Sequence, residues 1–168
     1  MFTMEIGGVR FKMDPTAASA LRYRAVYGNS IINDLASCSS RDDLEGRLLC
    51  MCYEMIIADR PELLEFAKLA RRDKDFLAKA HVAKSALLAP DPSFRPPVGE
   101  PGGDEPFDEY KILALMVVAG IDMALIYELP ILHLVALANR VAQLRDPESK
   151  TYRPMTDTEL CQLYPRRR

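Results

Sequence analysis

Residues 1–13, MFTMEIGGVRFKM, decide how the fold begins, because apolar and polar residues alternate on both sides of a glycine pair. Alternation with a period of two is typical of a strand that buries one face. Two glycines between two such runs predict a tight β-hairpin, since both central positions of this turn need positive φ. The predicted register pairs Phe2 with Met13, Met4 with Phe11 and Ile6 with Val9 on one face, and Glu5 with Arg10 on the other. An isolated hairpin is only marginally stable, so its apolar face is expected to pack against helices.

Capping residues predict two helices directly after the hairpin. Asp14 and the proline that follows it are typical of an N-cap and a first helical position. The helix that they start is expected to end at Gly28, which suits the left-handed conformation beyond a helix C-terminus. Asn29 and Ser30 then predict the start of a short second helix.

A longer helix is predicted over residues 41–59, where Ser40 and Asp43 form a capping-box pattern. Beyond its first turn, only Arg47 and Glu54 interrupt its apolar residues. This helix is therefore expected to be central and buried.

Residues 61–88 form a further helical region that contains five consecutive charged residues at 71–75. Either two helices meet at this run, or one long helix is solvated there, and the sequence leaves both alternatives open. The mixed sign of the run favours a solvated surface over a binding patch.

Composition divides the chain at residues 90–106, PDPSFRPPVGEPGGDEP, which hold six of its twelve prolines and three of its eight glycines. Such a segment, without an apolar period, predicts a linker. We therefore expect a domain of a β-hairpin and helices over residues 1–89, a helical module over 107–145 and a polar tail over 146–168. The predicted fold class is mainly α with an N-terminal β-hairpin, a small α+β fold.

The module after the linker is predicted to contain three helices. The first, over residues 107–119, is apolar almost all round and ends at Gly120, and Asp122 caps a short second helix. The third runs from Pro130 to about Leu144, with a polar stripe of His133, Ala136, Asn139, Arg140 and Gln143. About forty residues are too few to form a stable core alone. This module is expected to pack on the N-terminal domain, on another copy or on a partner.

The chemistry of the sequence argues against catalysis and against metal or cofactor binding. No phosphate-binding, dinucleotide-binding, nucleophile-elbow or zinc-protease motif is present. His133 is expected at the surface, on the polar stripe of its helix. Cys50 and Cys52 lie two positions apart on a predicted helix, so their thiols point to opposite sides and do not suit one ion. We predict no catalytic residue, no metal ligand and no cofactor.

Charge and hydropathy argue against nucleic-acid and membrane partners. The chain has 22 Lys and Arg and 24 Asp and Glu, a net charge of -2, whereas nucleic-acid-binding domains are typically basic. The longest apolar run, residues 112–127, is interrupted by Gly120 and Asp122 and is shorter than the roughly 20 residues that span a bilayer. No signal peptide is expected at the start of the sequence. These observations favour a cytosolic protein.

Three stretches resemble one known protein family. Residues 21–35, LRYRAVYGNSIINDL, contain an R-Y-R-x-x-Y-G core followed by isoleucines, and residues 48–66, LLCMCYEMIIADRPELLEF, contain an apolar run that ends in Ala-Asp. Residues 109–137 combine a helix, a glycine turn, a short helix and a leucine-rich helix. Together these stretches resemble tail assembly chaperones of long-tailed bacteriophages, and the third resembles the extension of the family's long form.

The resemblance implies a non-catalytic chaperone in the cytoplasm of the bacterial host. Such a protein would bind the tape-measure protein and tail-tube subunits during tail assembly, and we expect it to form homo-oligomers. The candidate partner-binding residues are Leu115, Met116, Val118, Ile126, Tyr127 and Leu129. The alternative from another functional class is a phage- or bacterium-encoded inhibitor that binds a single host protein.

Overall fold

The N-terminal hairpin forms in the predicted register. The computed structural model describes residues 1–88 and 108–145, and in it β1 (Phe2–Ile6) pairs antiparallel with β2 (Val9–Met13). Gly7 and Gly8 have φ values of 57° and 83°, as the predicted turn requires. Val9 pairs with Ile6 as predicted but is exposed beside the turn, while the rest of the apolar face is buried or half-buried.

Helices make up most of the other described residues, which confirms the fold class. The predicted linker over 90–106 and the predicted tail over 146–168 lie outside the described residues. The helices are α1 (Ala17–Tyr27), α2 (Ile31–Ala36), α3 (Arg41–Met55), α4 (Leu63–Arg72), α5 (Phe76–Leu87), α6 (Glu109–Val118), α7 (Met123–Glu128) and α8 (Ile131–Arg145).

Several predicted helix caps form. Ser30 Oγ accepts a hydrogen bond from the backbone N–H of Ile32, and Ser40 Oγ accepts one from Asp43, each at 3.1 Å. Asp122 caps α7 in the same way. At the end of α1, Gly28 adopts the left-handed conformation with φ 77°. The predicted boundaries that depend on these local bonds are confirmed.

The start of α1 differs from the prediction. Its N-cap is Thr16 and not Asp14. The backbone N–H of Asp14 instead donates a hydrogen bond to Met55 O at 2.9 Å. Asp14 thereby continues the extended backbone of β2 by one residue. A residue held in this extended pairing cannot also begin the helix, so α1 starts two residues later.

The end of α3 also differs, for a related reason. The helix ends at Met55 and not at 59, because Ile56 is extended and forms an antiparallel bridge with Met13. The backbone N–H of Ile57 adds a hydrogen bond to Lys12 O at 3.2 Å. The hairpin thus ends α3 by pairing with the residues that follow it.

Two helices meet at the charged run, which decides between the two predicted alternatives. Asp73 lies between α4 and α5, and its carboxylate accepts hydrogen bonds from Lys79 Nζ at 2.7 Å and from the backbone N–H of Gly7 at 3.0 Å. Its other oxygen accepts from the N–H of Asp75. The run therefore ties the hairpin turn to the junction of the two helices.

One hydrophobic core extends through both described parts of the chain. Helix α3 is central, as predicted, and packs against α1, α2, α4 and α5. Helices α7 and α8 pack on α1, and Met116 of α6 and Ile126 of α7 are fully buried in the same core. The helical module after the linker thus docks on the N-terminal helices of its own chain.

The predicted polar stripe of α8 lies partly inside this packing. Ala136 is buried, and His133 and Asn139 are half-buried, whereas Arg140 is exposed. The expectation that His133 lies at the surface is therefore only partly correct. Because α8 packs on both α1 and α6, more of its circumference is covered than an isolated amphipathic helix would bury.

Candidate functional site

The structure divides the six predicted partner-binding residues between the core and the surface. Met116 and Ile126 are fully buried, and Leu115 and Leu129 are half-buried against the core. Only two of the six are exposed. These are Val118 at 67% and Tyr127 at 38%. The six residues therefore do not form one surface in this structure.

Helix α6 presents a separate apolar face to solvent. Tyr110, Ala114, Val117 and Val118 are exposed and follow the i, i+4, i+7, i+8 spacing of one helix face. Met116 lies on the opposite, buried side. A helix that is apolar on both sides does not reveal from its sequence which side faces the core, so Tyr110 and Val117 were missed as candidate contact residues.

The end of α8 lies beside the end of α6. The guanidinium of Arg145 donates a hydrogen bond to Val118 O at 3.0 Å, which joins the C-terminal ends of the two helices. The neighbouring Leu144 is 84% exposed. Helix α7 adds two further exposed apolar side chains. We use the name outer apolar surface for the exposed large apolar side chains of α6–α8 taken together, which are Tyr110, Val117, Val118, Leu125, Tyr127 and Leu144. Leu125 and Tyr127 are two positions apart, so they lie on different sides of α7.

This surface is unusual for the amount of chain that carries it. Helices α6–α8 and their connections contribute less than a third of the described residues but half of the large apolar side chains that are exposed. Single exposed apolar side chains are ordinary on soluble proteins, whereas a concentration of them on one part of a fold is typical of protein–protein contact sites.

A charged cluster joins the start of α6 to the N-terminal helices. Arg24 on α1 forms ion pairs with Glu109 at 2.7 Å and with Asp108 at 2.8 Å. The other carboxylate oxygen of Glu109 accepts a hydrogen bond from Ser30 Oγ at 2.5 Å. We call these four residues the latch, namely Arg24, Ser30, Asp108 and Glu109.

Burial and charge both act on the latch. Glu109 is fully buried, and its ion pair with Arg24 accounts for this, because a carboxylate is normally buried only when it is paired. Burial alone would lower the pKa of Arg24, because it disfavours the charged guanidinium. The hydrogen bond to Glu109 and the negative charge of Asp108 outweigh this effect, so the pKa of Arg24 is raised. The guanidinium also lies 4.4 Å from the centre of the Tyr110 ring, at the edge of the outer apolar surface.

The latch was not predicted from the sequence. Arg24 and Glu109 are 85 positions apart, and no local pattern indicates that they meet. A weak signal was available, because Asp108 and Glu109 are two acids at the start of an otherwise apolar helix. That position also suits the helix dipole, so it does not require a basic partner.

A second polar network is centred on Asp34 and stabilises the helices under the latch. Its carboxylate accepts hydrogen bonds from Tyr23 Oη at 2.8 Å, from Arg47 Nη1 at 2.8 Å and from Asn29 Nδ2 at 2.7 Å. Burial, followed by the bond to Asp34, raises the pKa of Tyr23. Since Asp34 is itself buried and fully engaged, this network is a structural link among α1, α2 and α3.

A third network holds the end of α3. Glu54 is buried and forms an ion pair with Arg60 at 2.5 Å, and Arg22 donates two hydrogen bonds to the backbone carbonyl of Glu54. Burial and the nearby charge of Arg60 lower the pKa of Arg22. The Arg60 guanidinium also lies over the ring of Tyr53, 4.0 Å from its centre.

The other candidate groups do not converge. Cys52 is buried in α3 while Cys50 is half-buried, and His81 is exposed on α5. Among residues 1–88 and 108–145, no group of three or more His, Cys, Asp or Glu side chains could hold a metal ion. No helix in that part of the chain is long and apolar enough to cross a membrane.

The outer apolar surface and the adjacent latch are therefore the candidate functional site, and the chemistry that they offer is the binding of a protein surface. Comparison with protein families, with curated proteins and with solved structures gave no match to this chain.

Proposed function

We propose that this protein is a non-catalytic tail assembly chaperone of a long-tailed bacteriophage. In this role it binds the tape-measure protein and tail-tube subunits in the cytoplasm of the bacterial host, as a homo-oligomer. The observation that carries the proposal is the outer apolar surface on α6–α8, the part of the chain that resembles the extension of the long chaperone form.

The physical basis of the proposed activity is the burial of apolar surface. A long, hydrophobic tape-measure protein exposes apolar side chains before the tail tube surrounds it. Each square ångström of apolar surface removed from water contributes about 25 cal/mol to association. A chaperone that covers these side chains with exposed valine, leucine and tyrosine keeps them from aggregating.

Two of the predicted contact residues, Val118 and Tyr127, belong to the outer apolar surface and are accessible in this structure. Met116 and Ile126 are in the core, where a substitution would destabilise the protein and obscure any effect on binding. The experiment therefore uses exposed residues alone.

The test is co-expression with the tape-measure protein from the same genome, comparing two double variants. Val118→Asp with Leu144→Asp changes the outer apolar surface, while Val82→Asp with Leu64→Asp makes the same chemical changes at similar exposure on α5 and α4. We expect the first variant to lose most of the soluble tape-measure protein and the second to retain it. Thermal melts of both variants establish that each is folded.

The proposal fails if the unmodified protein binds neither the tape-measure protein nor a tail-tube subunit. Equal loss of solubilisation in both double variants would also contradict the assignment of the outer apolar surface. Capture of one host enzyme, with inhibition of its activity, would favour the inhibitor instead.

A further inference from the structure

We propose that α6–α8 form a releasable cover on the N-terminal helices, held closed by the latch, and that release exposes a second apolar surface. That surface consists of the inward-facing side chains of α6–α8, including Met116 and Ile126, which become accessible because these helices unfold locally when they leave α1. The consequence for partner binding rests on the proposed function, whereas the opening itself does not.

The latch lies where it can control the cover. Glu109 is the first residue of α6, so its bonds to Arg24 and Ser30 hold the N-terminal end of the cover against α1 and α2. A second anchor lies just after α7, where the carbonyl oxygen of Leu129 accepts a hydrogen bond from the backbone N–H of Ala17, the first residue of α1, at 2.7 Å. Both anchors are polar.

Polar anchors favour a contact that can open. Removing a carboxylate and a guanidinium from water is costly, and their attraction offsets this cost only while the geometry is good. On opening, water solvates Arg24 and Glu109 again and replaces the lost bonds.

Closure determines which residues a partner can reach. In the closed form only the outer apolar surface is available, while Met116 and Ile126 are fully buried. Opening adds these side chains, together with half-buried Leu115 and Leu129. All six residues predicted from the sequence would then be available to one partner, in the open form alone.

The latch also contacts the start of α2. Ser30 Oγ accepts a hydrogen bond from the N–H of Ile32 and donates its own proton to Glu109. Opening removes the second bond and leaves the first in place. We therefore expect α2 to keep its cap when the cover is released, so that the N-terminal helices remain folded.

Hydrogen exchange of the full chain, measured by mass spectrometry without any partner, tests the opening. In the unmodified protein we expect amides of α6–α8 to exchange faster than those of α3, because local opening needs less free energy than global unfolding. Glu109→Gln removes the buried charge opposite Arg24. It is expected to accelerate exchange in α6–α8 by at least about tenfold and to leave α3 and α5 unchanged.

The matched control is Glu45→Gln, which removes the carboxylate of an exposed ion pair with Arg41 and should change neither region. Arg24→Gln, alone and combined with Glu109→Gln, should reproduce the acceleration without adding to it if the two residues act as one latch. The inference is overturned if Glu109→Gln leaves exchange in α6–α8 unchanged, or if α3 and α6–α8 always exchange together.

The outcome can be separated from that of the proposed function. Accelerated exchange in α6–α8 together with no binding of a tape-measure protein would support the latch and refute the chaperone. Binding of the tape-measure protein with no separate opening would support the chaperone through the outer apolar surface alone and refute the latch.

Discussion

At the scale of single residues, the fold depends on a few positions that join distant parts of the chain. Gly7 and Asp73 connect the hairpin turn to the junction between α4 and α5, and Arg24 connects α1 to the start of α6. Each contact involves a backbone group or a charge with little freedom to move. Substitutions at these positions should therefore have larger effects than similar substitutions nearby.

The two turn glycines allow a direct comparison. A Cβ at Gly7 would lie 2.7 Å from Leu69 O, whereas a Cβ at Gly8 would meet nothing within 4 Å. Both have positive φ, so each alanine costs about 1–2 kcal/mol through backbone strain. We expect Gly7→Ala to lower the free energy of unfolding by at least about 1 kcal/mol more than Gly8→Ala, measured by urea denaturation. Equal effects would mean that the contact with Leu69 yields easily.

Asp73 should make the free energy of unfolding depend on pH. Its hydrogen bond from Lys79 and that from the Gly7 N–H hold the pKa of its carboxyl below the usual value. A lowered pKa in the folded state stabilises the protein above about pH 4, and this contribution is lost as pH falls through the folded pKa. We expect Asp73→Asn to cost about 1–2 kcal/mol at pH 7 and much less near pH 2.

The control for this prediction is Asp75→Asn, because the side chain of Asp75 makes no capping hydrogen bond. Unfolding curves for both variants between pH 2 and pH 7 give the comparison. A cost for Asp73→Asn that stays the same over the whole range would show that the charge of Asp73 does not contribute.

At the scale of elements, α3 and α6 have apolar sequences but different positions. Helix α3 packs on four other helices, which agrees with the apolar residues that fill its second half. Helix α6 is more apolar along its length, yet it leaves one face exposed. The apolar character of a helix therefore indicates that it has contacts to make, but not whether those contacts lie within its own chain.

The cysteines of α3 provide a prediction at this scale. Cys52 is fully buried, and burial raises the pKa of its thiol to about 12, while Cys50 is half-buried on another side of the helix. A neutral buried thiol is a poor metal ligand and a poor nucleophile. We expect Cys50→Ser with Cys52→Ser to change the free energy of unfolding by no more than about 2 kcal/mol. Stoichiometric zinc in the native mass spectrum would contradict this prediction.

At the scale of the whole molecule, the two described parts share one core but contribute to it unequally. Residues 1–88 contain the hairpin and five helices with α3 at their centre, whereas residues 108–145 bury their main side chains partly against α1. A short piece of chain removes too little apolar surface from water to offset its loss of conformational entropy. The smaller part should therefore depend on the larger one.

We accordingly expect a fragment of residues 1–89 to unfold cooperatively and a fragment of residues 107–168 not to do so. Thermal melts followed by circular dichroism compare the two fragments. Full-length protein at the same concentration provides the reference. A cooperative melt from the second fragment as a monomer would contradict the expectation that it needs α1.

The sequence by itself determined the features that depend on neighbouring residues. The hairpin register follows from alternation around Gly7 and Gly8, and the starts of α2, α3 and α7 follow from the capping side chains of Ser30, Ser40 and Asp122. These contacts are local, because the capping partners are two or three positions apart and the hairpin partners at most eleven. The same patterns also predicted the central place of α3.

Only the tertiary structure decided the features that depend on distant partners. The bridge between Met13 and Ile56 ends α3 early, and packing on α1 determines which face of α6 is buried. The pairing of Arg24 with Glu109 across 85 positions determines where the cover is held. In each case several local arrangements are nearly equal in free energy. The burial of side chains and charges against a distant element then selects one of them.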